Sequence, residues 1–350
     1  MKIAVVGCGG NGGVVAGVLA AQKSDVVCID LNEEVVRQIN DRGIHLQGKK
    51  GCFTARARAF THFSREWGKF DIIVLGVKSM ALKHVFMEAR DYVAENGFIL
   101  TLQNGIVILE IVEEFPDVKV VAGAVGYNSI MADHGKYLVT SNGGITACSL
   151  ASGTMEDVLL LKSVLEPGIK IKTTRNIVGV LWSKLIIVCG VTGLGGISGL
   201  LAGELLRYKV ARKLFYQIVT EGACVAKRLG VNLEKVGGAI NPEKFGTHKE
   251  GYPLFLRYLL LKIIGIKYKN LRGNIHQDLE RGVNTEVDFI NGEVVKIGDR
   301  LGIDTPVNTA IVKMVKEIEG KKRQMSVRNL HTIWDQIFPI FVSGFLSVLY

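Results

Sequence analysis

The chain has 350 residues, 48% hydrophobic and 7% aromatic, a length that suits two domains and a composition that supplies each with a core. Its formal charge of +10 raises nucleic acid as a partner, but the cations are dispersed, with only short clusters such as 267–272 and 321–323, and neither an aromatic strand motif nor zinc-ligand spacing accompanies them; no nucleic-acid partner is expected. Six scattered cysteines (Cys8, Cys28, Cys52, Cys148, Cys189, Cys224) form no CxxC pair, which predicts buried free thiols in a reducing cytoplasm, with no metal site.

Met1 and Lys2 lead straight into a strand, without a signal peptide. That strand, residues 2–6, ends in Gly7-Cys8-Gly9-Gly10-Asn11-Gly12, and an apolar helix is expected over 14–21. Gly7, Gly9 and Gly12 fit the dinucleotide fingerprint: one glycine for the turn, one for close approach of backbone to pyrophosphate, one for helix packing. The helix start then offers unpaired N–H groups to the phosphates. A second strand, 26–29, ends at Asp30, eighteen residues after Gly12. Its carboxylate has two readings: acceptor for the adenosine ribose hydroxyls, or cap of a helix beginning near Glu33. Against a ribose it repels a 2′-phosphate, which favours NADH over NADPH; Arg37 and Arg42 are the nearby cations able to offset it.

A hairpin-like region over 43–61 precedes a buried parallel-type strand, 70–78, that delivers Lys78 to its carboxyl end. The next strand, 98–102, runs into Gln103-Asn104-Gly105 and brings Asn104 to the same rim, where open α/β sheets bind ligands. Taken singly, Lys78 reads as a solvated loop lysine and Asn104 as a turn residue; at successive strand ends after a fingerprint, they read as site residues. Strands at 118–125, 137–140 and 144–150 are expected to complete the sheet, followed by a helix at 155–165 and a strand at 169–173.

From Asn176 the pattern becomes helical. Lys184 sits in the strongly apolar run 177–188, where burial lowers a lysine pKa toward the range useful for proton donation; the alternative is a lysine snorkelling from a helix edge. Residues 284–292 place Glu286 on an amphipathic helix. The apolar run 254–266 is too short to span a bilayer and is broken by Arg257 and Lys262, so it is read as a buried or interfacial helix. The tail 331–350 has three uses open to it: docking on the domain, joining a homodimer, or touching a membrane surface. A span is the least favoured.

The glycine fingerprint, Val77-Lys78, Gln103-Asn104-Gly105, Trp182-Ser183-Lys184-Leu185, Gln277-Asp278 and the block from Thr285 to Gly292 together resemble the ketopantoate reductases (2-dehydropantoate 2-reductases) over nearly the whole chain to about Leu330. The resemblance implies an α/β fold: a Rossmann-type dinucleotide-binding domain, 1–174, then an all-helical catalytic domain, 175–330, like the C-terminal domain of 6-phosphogluconate dehydrogenase, then the extension 331–350. It implies NAD(P)H-dependent reduction of a 2-keto acid, 2-dehydropantoate first among them, with the glycine turn (Gly7 to Gly12), Asp30, Lys78 and Asn104 on the cofactor. By the same resemblance Lys184 is the general acid, Glu286 holds the substrate hydroxyl or the cofactor, and Lys78 and Asn104 bridge cofactor and substrate. Three substrate-side positions depart from the family pattern: Val188 and Thr192 stand where the family carries asparagines, and Asn274 where it carries serine. Losing amides there makes a different 2-keto acid an alternative substrate. A catalytically idle dinucleotide sensor is the reading from another class, and retention of Lys78, Asn104, Lys184 and Glu286 together argues against it.

Overall fold

The computed structural model describes residues 1–236, 240–246 and 251–339; the end of the apolar tail, 340–350, lies outside the described residues. The chain divides into two compact units, Met1–Leu181 and Trp182–Tyr350.

The first unit begins β1 (Lys2–Val6), α1 (Gly10–Ala21), β2 (Asp25–Ile29), α2 (Glu33–Arg42), β3 (Ile44–Gly48), β4 (Phe53–Ala55), β5 (Arg58–Phe60) and β6 (Phe70–Leu75). It continues with α3 (Ser79–Ala89), β7 (Val93–Thr101), α4 (Val107–Glu114), β8 (Lys119–Val125), β9 (Ser129–Asp133) and β10 (Lys136–Val139). Strand β11 (Ile145–Ala151), α5 (Met155–Leu165) and β12 (Ile171–Thr173) complete it. Eight strands form one sheet in the order β12-β11-β8-β7-β6-β1-β2-β5, parallel except where β11 runs against β8. Four consecutive residues of β6, Ile72 to Leu75, are all buried, which requires both sheet faces to be covered and explains why such strands read as unbroken apolar runs. Strand β1 lies between β2 and β6, so the strand order reverses there. The carboxyl ends of β1 and β6 open the crevice where sheets of this kind bind ligands.

The strand expected at 137–140 does not complete this sheet. As β10 it belongs to a second sheet, β4-β3-β10-β9, with β9 as an additional strand that sequence reading passed over. Tyr137 and Val139 point inward from β10 while Lys136 and Leu138 do not; this period-2 pattern specifies one buried face but not which sheet supplies it. The expected hairpin over 43–61 is the antiparallel β3–β4 pair, whereas β5 leaves it to pair with β2. Helix α1 packs against strands of both sheets, which accounts for a helix that is apolar all round.

The division falls within α6 (Ile177–Val188), and the second unit is helical from there: a five-residue π-helical stretch (Cys189–Gly193), α7 (Leu194–Ser198), α8 (Ala202–Leu205) and α9 (Lys209–Arg228). Helices α10 (Pro242–Gly246), α11 (Leu254–Lys267), α12 (Asn274–Glu280), α13 (Asn291–Leu301), α14 (Pro306–Glu319) and α15 (Arg328–Ile337) follow. The run Ile177–Ser198 is long and apolar enough to cross a membrane, yet 67% of its most apolar window is buried inside the protein, as in the core helix of a folded domain. Residues 331–337 are not a separate extension. They lie on α15, which buries Leu330 and Ile333, contacts α7, α9 and α14, and packs Trp334 against Phe338 in a tilted pair with centroids 4.4 Å apart. All six cysteines are free, but only Cys8, Cys28 and Cys189 are buried; Cys148 is half-buried and Cys52 and Cys224 are exposed.

The tightest constraint in the first unit is at Gly12, where a Cβ would stand 1.9 Å from the Gly7 carbonyl oxygen. Gly12→Ala therefore has to push α1 off β1, and we expect a loss of about 1–3 kcal/mol, read as a lower urea midpoint, together with loss of dinucleotide binding.

Candidate active site

The glycine turn is built by close packing on three sides and openness on one. Gly7 has φ +84°, and its Cβ would lie 2.7 Å from Val77; a Cβ on Gly76 would lie 2.6 Å from the Gly7 carbonyl oxygen. A Cβ on Gly9, by contrast, would meet nothing within 4 Å. The middle fingerprint glycine thus faces space that a ligand can enter, while its neighbours lock the backbone behind it. Helix α1 begins at Gly10, four residues earlier than expected, with no acid in its first turn. Its first N–H groups have no intrahelical acceptor and sit at the positive end of the helix dipole. These residues fit a pyrophosphate.

Asp30 is placed against the same turn. Its Oδ2 accepts from the Cys8 amide at 2.7 Å and its Oδ1 from the Asn32 amide at 2.9 Å. It does not cap α2: Asn32 does, accepting from the amides of Glu34 and Val35. Arg37 is held by both carboxylate oxygens of Glu34 at 2.7 and 2.6 Å. Two residues that sequence reading passed over complete the turn. Tyr137 Oη donates to the Cys8 carbonyl at 2.6 Å, its ring lying where a Cβ on Gly13 would be, and Ser129 Oγ donates to Asn11 Oδ1 at 3.0 Å. No local motif marks either, because both reach the turn from the second sheet.

Lys78 and Asn104 follow the adjacent strands β6 and β7. Lys78 is exposed at the N-cap of α3, and Asn104 is half-buried in the turn after β7. The two loops are stitched together: Ser79 Oγ donates to the Asn104 carbonyl at 3.0 Å, and Gln103 Nε2 donates to the carbonyls of Leu75 at 2.7 Å and Val77 at 3.1 Å. Gln103 is a structural clamp that fixes both residues at one rim.

In the second unit Lys184, Val188 and Thr192 follow one another at four-residue intervals along α6 and the π-helical stretch, where i, i+4 neighbours share a face. Lys184 is half-buried, and burial lowers its pKa to about 8. Thr192 Oγ1 donates to the Val188 carbonyl at 2.9 Å, so the hydroxyl is turned onto its own helix. Gly273 packs on Thr192, a Cβ there falling 2.9 Å from the Thr192 Cα, and this contact sets Asn274, exposed at the start of α12, beside the Thr192 end of the face.

Glu286 is not on an amphipathic helix. It is a buried residue at the N-cap of a single 3-10 turn, Val287–Phe289, and α13 begins only at Asn291. The reason lies on either side. Thr285 is pinned by Glu319 Oε1 through its amide (2.8 Å) and hydroxyl (2.7 Å), and Asn291 donates to the Cys189 carbonyl at 3.3 Å and to Asn308 Oδ1 at 2.9 Å. Asn308 in turn donates to Glu221 from its amide and side chain, at 3.0 and 2.6 Å; burial raises the Glu221 pKa. Through Asn291 this network ties the Glu286 turn to the π-helical stretch that carries Thr192. Gly193 makes room for it, since a Cβ there would lie 2.9 Å from Asn291 Oδ1.

Two family models cover most of the chain: ketopantoate reductase PanE/ApbA over residues 3–151, and the ketopantoate reductase PanE/ApbA C terminal over residues 176–319. The chain belongs to the ketopantoate reductase family. It is accordingly an NAD(P)H-dependent oxidoreductase acting on a CH–OH group. The 2-dehydropantoate 2-reductase of Pyrococcus horikoshii is 27% identical to it over 323 residues, covering 91% of this chain and 98% of the relative; that of Archaeoglobus fulgidus is 23% identical, covering 91% and 98%. Among solved structures, a PanE/ApbA family ketopantoate reductase from Ralstonia eutropha JMP134 superposes with a TM-score of 0.78 at 25% identity, covering 93% of this chain and 100% of its own. A D-mandelate dehydrogenase bound to NADH and anilino(oxo)acetate shares the fold with a TM-score of 0.78 at 22% identity, covering 92% and 99%.

Within this family member the Asn291 network offers a separable test. Asn291→Ala leaves the Cys189 carbonyl and Asn308 without their donor, and we expect a loss of about 1–3 kcal/mol in urea unfolding and a lower kcat. NADH affinity, measured by fluorescence titration, should stay unchanged, because the glycine turn belongs to the other unit.

Proposed function

We propose that the protein reduces the ketone of a 2-keto acid to a 2-hydroxy acid, with 2-dehydropantoate as the first substrate to test. The observation that carries this reading is Lys184, a lysine in an apolar helix whose pKa burial lowers to about 8, in a chain of the ketopantoate reductase family. Bound NAD(P)H supplies the hydride. Lys184, as the ammonium, gives its proton to the carbonyl oxygen, so carbonyl, hydride and proton together make the CH–OH group. Glu286 holds the substrate hydroxyl or the cofactor; Gly7, Cys8, Gly9, Gly10, Asn11 and Gly12 hold the pyrophosphate; Asp30 meets the adenosine ribose; Lys78 and Asn104 serve the cofactor and the substrate. A cytoplasmic enzyme of small-molecule metabolism is the setting this reading implies.

A second reading of the substrate has its own support. Val188 offers no hydrogen bond, and the Thr192 hydroxyl is committed to the Val188 carbonyl, so this helix face suits a 2-keto acid with an apolar side group better than one with a hydroxyl. Assaying 2-dehydropantoate beside branched and aromatic 2-keto acids distinguishes the two.

General acid catalysis contributes about 10²–10⁴-fold, so Lys184→Ala should lower kcat by roughly that factor while NADH still binds, and Lys184→Arg, cationic but unable to give up its proton, should not restore it. The sign of the pH dependence follows from the role. The acid must be protonated, so wild-type reduction falls as pH rises through about 8 and the reverse oxidation rises. Near-wild-type turnover of Lys184→Ala on its best substrate contradicts the assignment.

We also expect NADH to serve at least as well as NADPH, because a 2′-phosphate would meet Asp30 and Arg37 is engaged by Glu34. Asp30→Ala should weaken both cofactors, since the Cys8 amide loses its acceptor, but NADH by more, moving the kcat/KM ratio toward NADPH. A strong wild-type preference for NADPH would overturn this.

A further inference from the structure

Helix α11 is built unlike a surface helix. Leu261, Gly265 and Arg257 face inward, with Gly265 against Leu206, and the opposite face is apolar rather than polar. Phe255 is 72% exposed, Leu259 48%, Ile263 52% and Ile266 77%. At 3.6 residues per turn these four fall within about 80° of one another, forming one continuous stripe. Such a stripe on water is a cost that a surface partner removes.

Charge says which partner. From 251 to 277 the sequence holds five cations and no acid; of these Arg257 is buried and Arg272 is paired with Glu280. Lys262 lies along the exposed stripe and Lys269 just beyond the helix end, both exposed. The neighbouring helix α8, packed on α11, is followed by exposed Arg207 and Lys209. Among the described residues, two nearby acids are engaged elsewhere: Glu204 reaches back to the Leu201 amide at 3.2 Å, and Glu280 pairs with Arg272 at 2.8 Å. A second copy of this chain laid face to face on the stripe would bring like charges together. An anionic lipid surface instead receives the apolar side chains between its headgroups and the cations onto them, as amphipathic basic helices do when they lie in the interfacial plane.

We propose that the exposed face of α11 is a docking surface for an anionic lipid bilayer, so that the reductase works reversibly attached to a membrane face. The inference is independent of which keto acid is reduced.

The test is sedimentation of the full-length protein with phosphatidylcholine–phosphatidylglycerol vesicles and with pure phosphatidylcholine vesicles. The protein should pellet with the anionic vesicles, be released by high salt, and stay in solution with the neutral ones. Phe255→Ser with Ile263→Ser, both at exposed positions, should lower partitioning by ~tenfold or more, and Lys262→Glu with Lys269→Glu should lower it and flatten the salt dependence, while NADH binding stays intact in both. Three results overturn the proposal. One is the absence of anionic-vesicle binding by the intact chain; another is vesicle binding that the Phe255/Ile263 pair leaves unchanged. The third is a dimer, seen by analytical ultracentrifugation, that this pair dissociates, which assigns the stripe to a second copy. Binding that emerges only after truncation at Pro339 counts as the first of these, because residues 340–350 would then be the stripe's occupant.

Discussion

Burial away from water lowers the pKa of a lysine, and the chemistry proposed for the second unit depends on that one constraint. Helix α6 is apolar on every side, so its own side chains offer the half-buried Lys184 no polar partner, and desolvation brings the pKa down to about 8. An ordinary amphipathic helix would supply a wet face and leave the lysine at its usual value. The cost is a helix whose apolar surface has to be covered, and 67% of the most apolar window of Ile177–Ser198 is buried inside the protein.

Burial alone does not aim a side chain. The register of the helix beyond Lys184 is fixed where it widens into the π-helical stretch, and Asn291 enters there with one donor on the Cys189 carbonyl and another on Asn308. Behind it stands Glu221, a buried carboxylate that accepts from Val307, from Asn308 and from the Asn308 side chain. A buried carboxylate is tolerable only when its oxygens are satisfied in this way. One polar network therefore holds the Glu286 turn, the Thr192 face and the start of α14 in a single arrangement. The first unit uses a different device for the same purpose: close-packed glycines, with Asp30 accepting from the Cys8 amide and Tyr137 donating to the Cys8 carbonyl, so that the two peptide groups flanking Cys8 are each held.

The dinucleotide half was legible because its signals are local. Strand, glycine turn, helix, strand and acid succeed one another within thirty residues, and each has a backbone reason. What stayed hidden depends on distant pairing. Tyr137 reads as an ordinary inward strand residue, and nothing near it in sequence says that its hydroxyl serves Cys8. Strand β10 shows which of its faces is buried without showing which sheet it joins. Glu286 looked helical because apolar residues recur around it at helical spacing, whereas Thr285 and Asn291 are drawn to partners on α14 and near Cys189 that break the helix into a turn. Lys184 was visible as a charge in an apolar run, and its half-buried place on α6 supports desolvation over snorkelling.

The account rests on the state of that one ammonium group, so it is tested most directly by titrating Lys184 in the intact protein. Protein carrying isotope-labelled lysine, with the resonance assigned by its loss in Lys184→Arg, should show this side chain deprotonating near pH 8, well apart from the bulk of lysines near 10.4. A Lys184 that titrates with the bulk would mean that the helix does not desolvate it, and the proton donor proposed here would have to be sought elsewhere.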